Sequence, residues 1–348
     1  MTQSRYDVTR ERLAELLAGE PTYRVGQAWD GLHRRAAAPD ELTELPRPLR
    51  ARLAEALPPA LEPVVETTAD GGDTVKWLWR LGDGAVIESV LMLSARRATV
   101  CISSQAGCAM GCGFCATGQA GFQRNLSEGE IVEQVVRAMR RAAPRRVSNV
   151  VFMGMGEPLA NTDRVLAAVR RLHDDLGLSA RSLTVSTVGM VPGIHRLTGA
   201  GLPVTLAVSL HAANDGLRDS LVPINKRYPL DVLLGACAYH SARTGRRLTI
   251  EWALIDSVND RPSDARELAA RARPLGAPVT LIPLNPTPGY ATLDTQAVGV
   301  RAFHDRLRGL GVNATVRRTR GRDIDAACGQ LAAGPNRPRP VSLSAPRR

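Results

Sequence analysis

Residues 108–115 read Cys108-Ala109-Met110-Gly111-Cys112-Gly113-Phe114-Cys115, a CxxxCxxC element that follows an apolar run ending near Ser103. Three thiolates in one short loop can ligate three irons of a four-iron cubane, and a fourth ligand is needed to complete it. No other cysteine stands nearby in the sequence, so the pattern predicts a cluster with one iron open to a non-protein ligand. The alternative is a structural zinc site, but zinc needs a second pair of Cys or His, and none follows locally.

The chain beyond this loop alternates strand-like and helix-like segments. Ser127 and Glu130 have the spacing of a capping box, which predicts that a helix begins there and runs to about Ala142. Repeated βα units indicate a parallel sheet, and six of them are typical of an open or closed βα barrel, whose functional groups sit at the carboxyl ends of the strands. The six predicted strands are Asn149–Met153, Leu183–Ser186, Thr205–Leu210, Leu248–Leu254, Val279–Pro283 and Asn313–Arg317.

The residues before the cysteine loop follow a different pattern. Residues 1–62 have apolar positions at helical spacing, interrupted by prolines, and are predicted to form a helical accessory domain. Two strand-like runs flank Asp70-Gly71-Gly72-Asp73, so residues 63–93 are expected to form a β-hairpin extension. A core barrel over residues 94–330 and a disordered basic tail over residues 334–348 complete the predicted organisation.

Charge is distributed unevenly along the 348 residues. The chain has 45 basic and 34 acidic side chains, and only Lys76 and Lys226 are lysines. Residues 1–90 are net acidic and the remainder is strongly basic, which favours a polyanionic partner such as nucleic acid over a merely soluble basic surface. For the first of two arginine clusters, a solvated helix face and an RNA contact are equally good interpretations. The clusters are Arg137, Arg140, Arg141, Arg145 and Arg146, and Arg317, Arg318, Arg320 and Arg322.

No apolar run approaches the roughly 20 residues needed to cross a bilayer. The segment from Met1 to Arg12 is polar and lacks the apolar region of a secretory signal. We therefore expect a cytoplasmic protein without membrane contact, whose six cysteines are kept reduced. Cysteines clustered in such a chain indicate metal or redox chemistry before disulfide bonds.

Taken together, the motifs resemble those of the radical S-adenosylmethionine (SAM) superfamily and, within it, the RlmN/Cfr family of RNA adenine methyltransferases. The similarity runs from about Glu88 to Leu331, and the motifs fall in the family's order. Two further segments, Gly156-Glu157-Pro158 and Pro223-Ile224-Asn225-Lys226, look closer to the RlmN branch. The shared motifs are CISSQAGC at 101–108, the cysteine loop, MGMGEP at 153–158, SLH at 209–211 and DIDAACGQL at 323–331.

The resemblance implies an α/β fold, a radical SAM (βα)6-type partial barrel with a small, mostly helical amino-terminal domain and a short β extension. It implies one [4Fe-4S] cluster held by Cys108, Cys112 and Cys115, whose electron splits SAM and yields a 5′-deoxyadenosyl radical. That electron would come from a donor such as flavodoxin or ferredoxin. The residues that match the family's SAM contacts are Gly156, Glu157, Ser186, Ser209, Leu210, His211 and Asn285.

The resemblance also gives roles to residues outside the cluster. Cys328 would take a methyl group from one SAM and become S-methylcysteine, and the radical from a second SAM would activate that methyl for addition to adenine. Cys101 would release the product by forming a disulfide with Cys328, and Glu88 matches the family's proton acceptor. The arginines at 317–322 are expected to lower the pKa of Cys328. Cys237, in an apolar helical run, is expected to be a core residue.

The implied reaction is methylation of C2 of an adenosine in the peptidyl-transferase centre of 23S rRNA, with a tRNA adenosine left open as a second substrate. Methylation of C8 of the same nucleotide, which confers antibiotic resistance, is the alternative within the family. A radical activase of another protein and an RNA-binding protein with a ferredoxin-like cluster are alternatives outside it, but both leave Cys101 and Cys328 without a role. We expect a monomer. Family members usually carry a helical amino-terminal domain credited with RNA recognition, whereas residues 1–90 here are net acidic.

Overall fold

The computed structural model describes residues 4–287, 290 and 297–332, so the predicted tail at 334–348 lies outside the described residues. Three amino-terminal helices come first, and they share a hydrophobic cluster separate from the main core, with Leu13, Leu32 and Leu53 fully buried. Apolar residues at helical spacing explain this packing, because each helix turns one face towards the others. The helices are α1 (Arg10–Leu16), α2 (Tyr23–His33) and α3 (Arg47–Ala56).

An antiparallel extension of three strands follows these helices. Strands β1 and β2 form a hairpin whose last pair is Ala69 with Thr74, so the Asp70–Asp73 segment makes the predicted turn. Strand β3 then pairs with β4, which carries Cys101 opposite Val90. The strands are β1 (Glu62–Ala69), β2 (Thr74–Arg80), β3 (Val86–Leu93) and β4 (Ala98–Cys101).

From β4 onwards the strands of the main sheet are parallel and alternate with helices. The ten-stranded sheet has the order β1-β2-β3-β4-β7-β8-β9-β10-β11-β12, and β5 and β6 form a small separate ribbon. The further strands are β5 (Gln105–Gly107), β6 (Phe122–Asn125), β7 (Asn149–Phe152), β8 (Leu183–Thr187), β9 (Thr205–Ser209), β10 (Thr249–Leu254), β11 (Val279–Pro283) and β12 (Ala314–Val316). The further helices are α4 (Ala116–Gln119), α5 (Glu128–Ala142), α6 (Thr162–Asp174), α7 (Val191–Gly199), α8 (Asp215–Leu221), α9 (Leu230–Thr244), α10 (Pro262–Ala272) and α11 (Ala297–Gly309).

The six strands predicted after residue 148 are all present, with ends that differ by one residue or less. Ser127 caps α5 and accepts a hydrogen bond from the Glu130 amide at 3.1 Å, as the capping-box spacing predicts. The parallel strands bury large side chains, among them Phe152 and Trp252. Within the described part of the chain, no helix is long and apolar enough to cross a membrane. The architecture is that of an open parallel α/β barrel, and the carboxyl ends of its strands meet at one face.

Gly107, the last residue before the cysteine loop, is held where no side chain fits. Its φ is +74°, and an added Cβ would lie 1.9 Å from the carbonyl oxygen of Gly121. We therefore expect Gly107→Ala to lower the free energy of unfolding by about 3 kcal/mol or more, because it combines a left-handed backbone penalty with a steric clash. Urea denaturation measures the change.

Gly121→Ala is the matched control, since Gly121 also has a positive φ of +77° but has open space around its missing side chain. This variant should lose only the conformational contribution, about 1–2 kcal/mol. Equal losses in the two variants would contradict the close approach of the two chain segments.

Candidate active site

The cysteine loop and the carboxyl ends of the parallel strands enclose one cavity. Leu210 does not line it, because its side chain is buried in the main core and its amide donates to the Glu251 carbonyl oxygen at 3.0 Å. Its carbonyl oxygen accepts from the Ala212 amide at 2.8 Å and from Arg218 at 3.0 Å, so Leu210 supports the site without lining it. The predicted site residues that line the cavity are Cys108, Cys112, Cys115, Gly156, Glu157, Ser186, Ser209, His211, Asn285 and Cys328.

Of the three loop cysteines, Cys112 is buried, while Cys108 and Cys115 are partly buried. Burial raises the pKa of Cys108 to about 12, and it also raises the pKa of Cys112 above its ordinary value. Gly118, in the short helix α4 that follows Cys115, allows this helix to press against the loop, since a Cβ there would lie 2.8 Å from the Cys112 carbonyl oxygen. Buried thiols stay protonated unless a bound cation stabilises the thiolate.

The donor set fits an iron–sulfur cluster better than a zinc ion. Three cysteines that face one cavity can each ligate a different iron of a cubane, which leaves the fourth iron facing the cavity. Zinc would need its ligands gathered around one point. Among the described residues, no three His, Cys, Asp or Glu side chains are arranged to hold a single metal ion. The positive charge of the irons would stabilise the buried thiolates.

The loop after β7 places the Glu157 carboxylate in the cavity wall. Its two oxygens accept hydrogen bonds from the amides of Leu159 at 3.0 Å and Val188 at 2.9 Å. Burial nevertheless raises the pKa of Glu157 to about 7. Gly156 has a φ of +98°, and a Cβ on it would lie 2.5 Å from the Cβ of Gln105. The glycine is therefore required by packing of this loop against β5, rather than only by the approach of a ligand.

His211 follows β9 in a left-handed conformation, with a φ of +60° that is uncommon outside glycine. Its Nδ1 accepts a hydrogen bond from the Ala253 amide at 2.9 Å, so the ring carries its proton on Nε2. Burial lowers the pKa of His211 to about 3, which keeps the ring neutral at physiological pH. Phe114 of the cysteine loop packs edge-on against it, with ring centroids 5.0 Å apart. These contacts join the loop to the end of β9.

A second cavity adjoins the first, and Cys328 lines both. Cys101, at the end of β4, lines only the second cavity, so the fold brings two cysteines that are far apart in sequence to one space. Burial raises the pKa of Cys101 to about 12, and the nearby Cys328 adds to the shift. All six cysteines are free thiols in the structure.

Arg317 lies in the wall that separates the two cavities. Its guanidinium donates to Glu251 at 2.9 Å and contacts the sulfur of Met153 at 3.7 Å. Cys328 is exposed as a residue, whereas its thiol is desolvated by the surrounding protein, which raises its pKa above the ordinary value. Arg317 acts in the opposite direction and lowers the pKa, as expected of the arginine cluster, but desolvation has the larger effect.

The segment that carries Cys328 is fastened to the cysteine loop and to the strand ends. Asn285 donates to the Cys328 carbonyl oxygen at 3.0 Å. The Ala116 amide donates to the carbonyl oxygen of Gly329 at 2.8 Å. The Thr117 hydroxyl donates to the Leu331 carbonyl oxygen at 2.5 Å. Asn285 therefore orients the cysteine as well as lining the cavity.

Glu88 does not line either cavity, as far as the described residues show. Its carboxylate is buried, pairs with Lys76 at 2.8 Å and accepts from the Ala332 amide at 2.9 Å. Lys76 also donates to the carbonyl oxygens of Ile324 and Asp325, each at 3.2 Å. The sequence analysis missed this role of Lys76. The sequence offered one indication of this role, because Lys76 is one of only two lysines in a chain whose other basic residues are all arginine.

The first arginine cluster is exposed at four of its five positions, and its members differ in their partners: Arg145 and Arg146 donate to backbone carbonyl oxygens. Arg140 pairs with Glu41 at 2.5 Å and donates to the Ala36 carbonyl oxygen. Arg141 pairs with Glu66 at 3.1 Å. These arginines of α5 therefore bind the acidic amino-terminal residues, which the sequence analysis did not anticipate.

The second arginine cluster divides between structural and exposed positions. Arg320 donates to the Leu93 carbonyl oxygen, and Arg322 reaches the Asn285 side chain at 3.4 Å. Arg318 is exposed and lines the second cavity. Of the described residues in this cluster, Arg318 is therefore the one most open to a partner.

A cysteine loop opening into a cavity at the carboxyl ends of a parallel barrel defines a radical SAM enzyme. The Radical SAM superfamily model matches residues 102–269. A radical SAM methyltransferase from Sphaerobacter thermophilus superposes with a TM-score of 0.92 and is 49% identical, over 95% of this chain and 100% of that one.

Two sequence relatives identify the family within the radical SAM enzymes. Two proteins named "Probable dual-specificity RNA methyltransferase RlmN" align over most of this chain. One, from Parafrankia sp. (strain EAN1pec), is 55% identical over 94% of this chain and 91% of its own length. The other, from Thermobifida fusca (strain YX), is 52% identical over 93% and 92%. The chain belongs to the RlmN family of SAM-dependent RNA methyltransferases.

Replacing Cys108, Cys112 or Cys115 by Ala should reduce the iron of the reconstituted protein from about four per chain to a small residue, since three thiolates hold the cubane. Iron and sulfide analysis after anaerobic reconstitution measures this loss. Cys237→Ala is the control, because Cys237 is fully buried in α9 and away from the loop. Full iron content in any of the three loop variants would contradict the proposed ligand set.

Proposed function

We propose that this enzyme methylates C2 of an adenosine in the peptidyl-transferase centre of 23S rRNA and also an adenosine of tRNA, with Cys328 as the methyl carrier. The observation that carries the proposal is the position of Cys328 between two cavities, one lined by the three loop cysteines and the other by Cys101. A thiol placed there can receive a methyl group on one side and deliver it on the other. The names of the relatives support the RNA substrate.

Cys328 attacks the methyl group of a first SAM as its thiolate, and the bond between that methyl and the SAM sulfur breaks as the new carbon–sulfur bond forms. Arg317 stabilises the thiolate, because its guanidinium lowers the pKa of Cys328 against the effect of burial. Glu251 holds Arg317 in place through their 2.9 Å ion pair. Asn285 fixes the backbone of Cys328.

Residues of the first cavity hold SAM and the cluster in this proposal. When bound, a [4Fe-4S] cluster supplies the single electron that cleaves a second SAM, and a donor such as flavodoxin or ferredoxin replenishes it. Cys108, Cys112 and Cys115 would hold the cluster. Glu157 would accept from the amino group of SAM, and the neutral His211 would offer SAM a hydrogen-bond donor at Nε2.

Cys101 resolves the link between Cys328 and the RNA. Its thiolate attacks the Cys328 sulfur, a disulfide forms as the bond from sulfur to the RNA-linked carbon breaks, and that carbon takes up a proton. Glu88 accepts the proton that leaves the adenine carbon. In the structure Glu88 lies outside both cavities and its carboxylate is held by Lys76 and the Ala332 amide, so this role requires the carboxylate to leave these partners and reach the second cavity.

RNA reaches the second cavity past exposed arginines. Arg318 lines that cavity, and Arg301 and Arg322 line a neighbouring groove between α11 and β12. Arginine suits phosphate contact through its planar set of donors. We assign the amino-terminal helical domain, residues 1–62, and the β extension, residues 63–93, to support of the 94–330 core, because their acidic residues pair with α5.

Replacing Cys328 or Cys101 should stop the reaction at different stages. Cys328→Ala should give no protein methylation and no methylated RNA. Cys101→Ala should still methylate Cys328 and then stall with RNA joined covalently to the protein, in a species that survives denaturant. Mass spectrometry of the nuclease-digested complex locates the adduct on Cys328, and mass spectrometry of wild-type product separates 2-methyladenosine from 8-methyladenosine.

Two results would overturn the proposal. Normal turnover by Cys101→Ala would make Cys101 a core residue only. Methylated RNA from Cys328→Ala would show that the methyl group takes another route. An 8-methyl product would leave the carrier chemistry standing and correct the position of methylation.

Arg318→Ala should weaken RNA binding across sequences and reduce the slope of log K against log salt by about 1, because one phosphate contact is lost. Arg141→Ala removes the same charge from the other cluster, where the arginine pairs with Glu66, and should leave RNA affinity unchanged. Filter binding over a salt series compares the two. Equal losses would place RNA on α5 as well.

A further inference from the structure

Arg218 of α8 is a fully buried cation beneath the cavity. Burial lowers its pKa to about 10, so it remains charged at physiological pH. A buried charge without a partner is costly, and proteins retain such a group only where other groups stabilise it. The reaction described above gives Arg218 no role, and its surroundings indicate one.

The guanidinium donates mainly to backbone carbonyl oxygens. It donates to Leu210 at 3.0 Å and to Val188 at 2.6 Å, and it approaches Ser209 at 3.4 Å. These residues follow or end β8 and β9, where Ser209 and the neighbouring His211 line the first cavity. The planar guanidinium of Arg218 therefore links the ends of β8 and β9 through hydrogen bonds to both.

Among the described residues, no carboxylate forms an ion pair with Arg218. The remaining donor reaches the side-chain oxygen of Asn225 at 2.8 Å. Asn225 in turn donates to Asp215 at 2.9 Å and Asp219 at 2.7 Å. The amide therefore keeps both carboxylates one residue away from the cation. This gives a function to the Pro223–Lys226 motif, which the sequence analysis singled out without a role.

The same motif lies against the cysteine loop. Pro223 is 4.0 Å from the position of a Cβ on Gly111, one residue before Cys112. Leu217 and Leu221, which lie on either side of Arg218 in α8, belong to the same hydrophobic cluster as Cys112 and Phe114. The buried cation therefore lies on a helix that packs against the cysteine loop, where three thiolates would bring negative charge.

We propose that Arg218 is a positioning residue that fixes the SAM-facing ends of β8 and β9 and supplies an internal positive charge to the cluster held by the cysteine loop. The inference rests on the proposed function, because it assumes that cluster. Three thiolates carry negative charge, and reduction of the cluster adds more. A nearby fixed cation therefore favours the reduced form, since net charge around a cluster sets its potential.

The test compares Arg218→Met with Arg218→Lys in the reconstituted full-length protein. Arg218→Met, which removes the charge, should lower the equilibrium constant for cluster reduction about tenfold, a shift of about 59 mV to a more negative midpoint for one electron. Arg218→Lys keeps the charge and should keep most of the wild-type midpoint, but both variants should bind SAM more weakly. Redox titration followed by electron paramagnetic resonance gives the midpoint, and iron analysis and thermal unfolding check cluster content and folding.

A midpoint unchanged in an iron-replete Arg218→Met protein would overturn the charge role, and unchanged SAM affinity in both variants would overturn the positioning role. If the Arg218 variants do not fold, Asp219→Asn decides, because it removes a half-buried carboxylate that offsets the cation and should move the midpoint in the positive direction. No shift there would likewise overturn the charge role. Failure of wild-type protein to assemble a cluster would instead count against the proposed function.

Discussion

The site depends on one long-range constraint, the fastening of the Cys328 segment onto the cysteine loop. The hydrogen bond from Thr117 to Leu331 joins residues 214 positions apart, and the bond from the Ala116 amide to Gly329 runs beside it. Each such bond contributes only about 1 kcal/mol net, but each also satisfies a buried backbone group that would otherwise be costly. Because this segment forms the wall between the two cavities, its attachment determines that Cys328 faces both. The segment also lines the first cavity through Cys328, Gly329 and Leu331, so both cavities depend on its attachment.

Part of the charge difference between the amino-terminal residues and the rest of the chain is neutralised by ion pairs within the fold. Acidic residues near the amino terminus neutralise arginines of α5, and the buried Glu133 on the same helix accepts from the Ala60 amide at 2.7 Å while pairing with Arg137. The exposed ion pairs of Arg140 with Glu41 and of Arg141 with Glu66 each add little to the stability of the fold. Their effect is to cover α5 and to leave the basic surface near Arg318 and Arg301 as the positive region beside the second cavity. The acidic character of residues 1–90 is therefore compatible with an RNA substrate.

Local sequence was sufficient for the elements and for the first cavity, and insufficient for the supporting contacts. The parallel strands could be predicted because each is a short apolar run between helical patterns. Most residues that line the first cavity were named from the family resemblance, and they meet there because they follow the ends of those strands. Lys76, Glu251 and Arg218 could not, since their roles depend on partners brought close only by the fold. The arginine cluster on α5 was open to two interpretations for the same reason, because charge spacing within a helix does not reveal what packs on it. The net upward shift of the Cys328 pKa could not be predicted, because the sequence shows neighbouring charges but not desolvation.

Cys328 lies near the carboxyl end of the chain, so it is synthesised after the cysteine loop. A chain is synthesised from its amino terminus, and its early segments fold first. The three cysteines of the loop, the β extension and most of the barrel therefore leave the ribosome before Cys328 and the residues that fasten it. A partly made chain can gather the thiols of the first cavity, yet it lacks both Cys328, the proposed methyl carrier, and the wall that separates the cavities. Competence for chemistry is thus delayed to a late moment of synthesis, when the loop is already covered by folded protein.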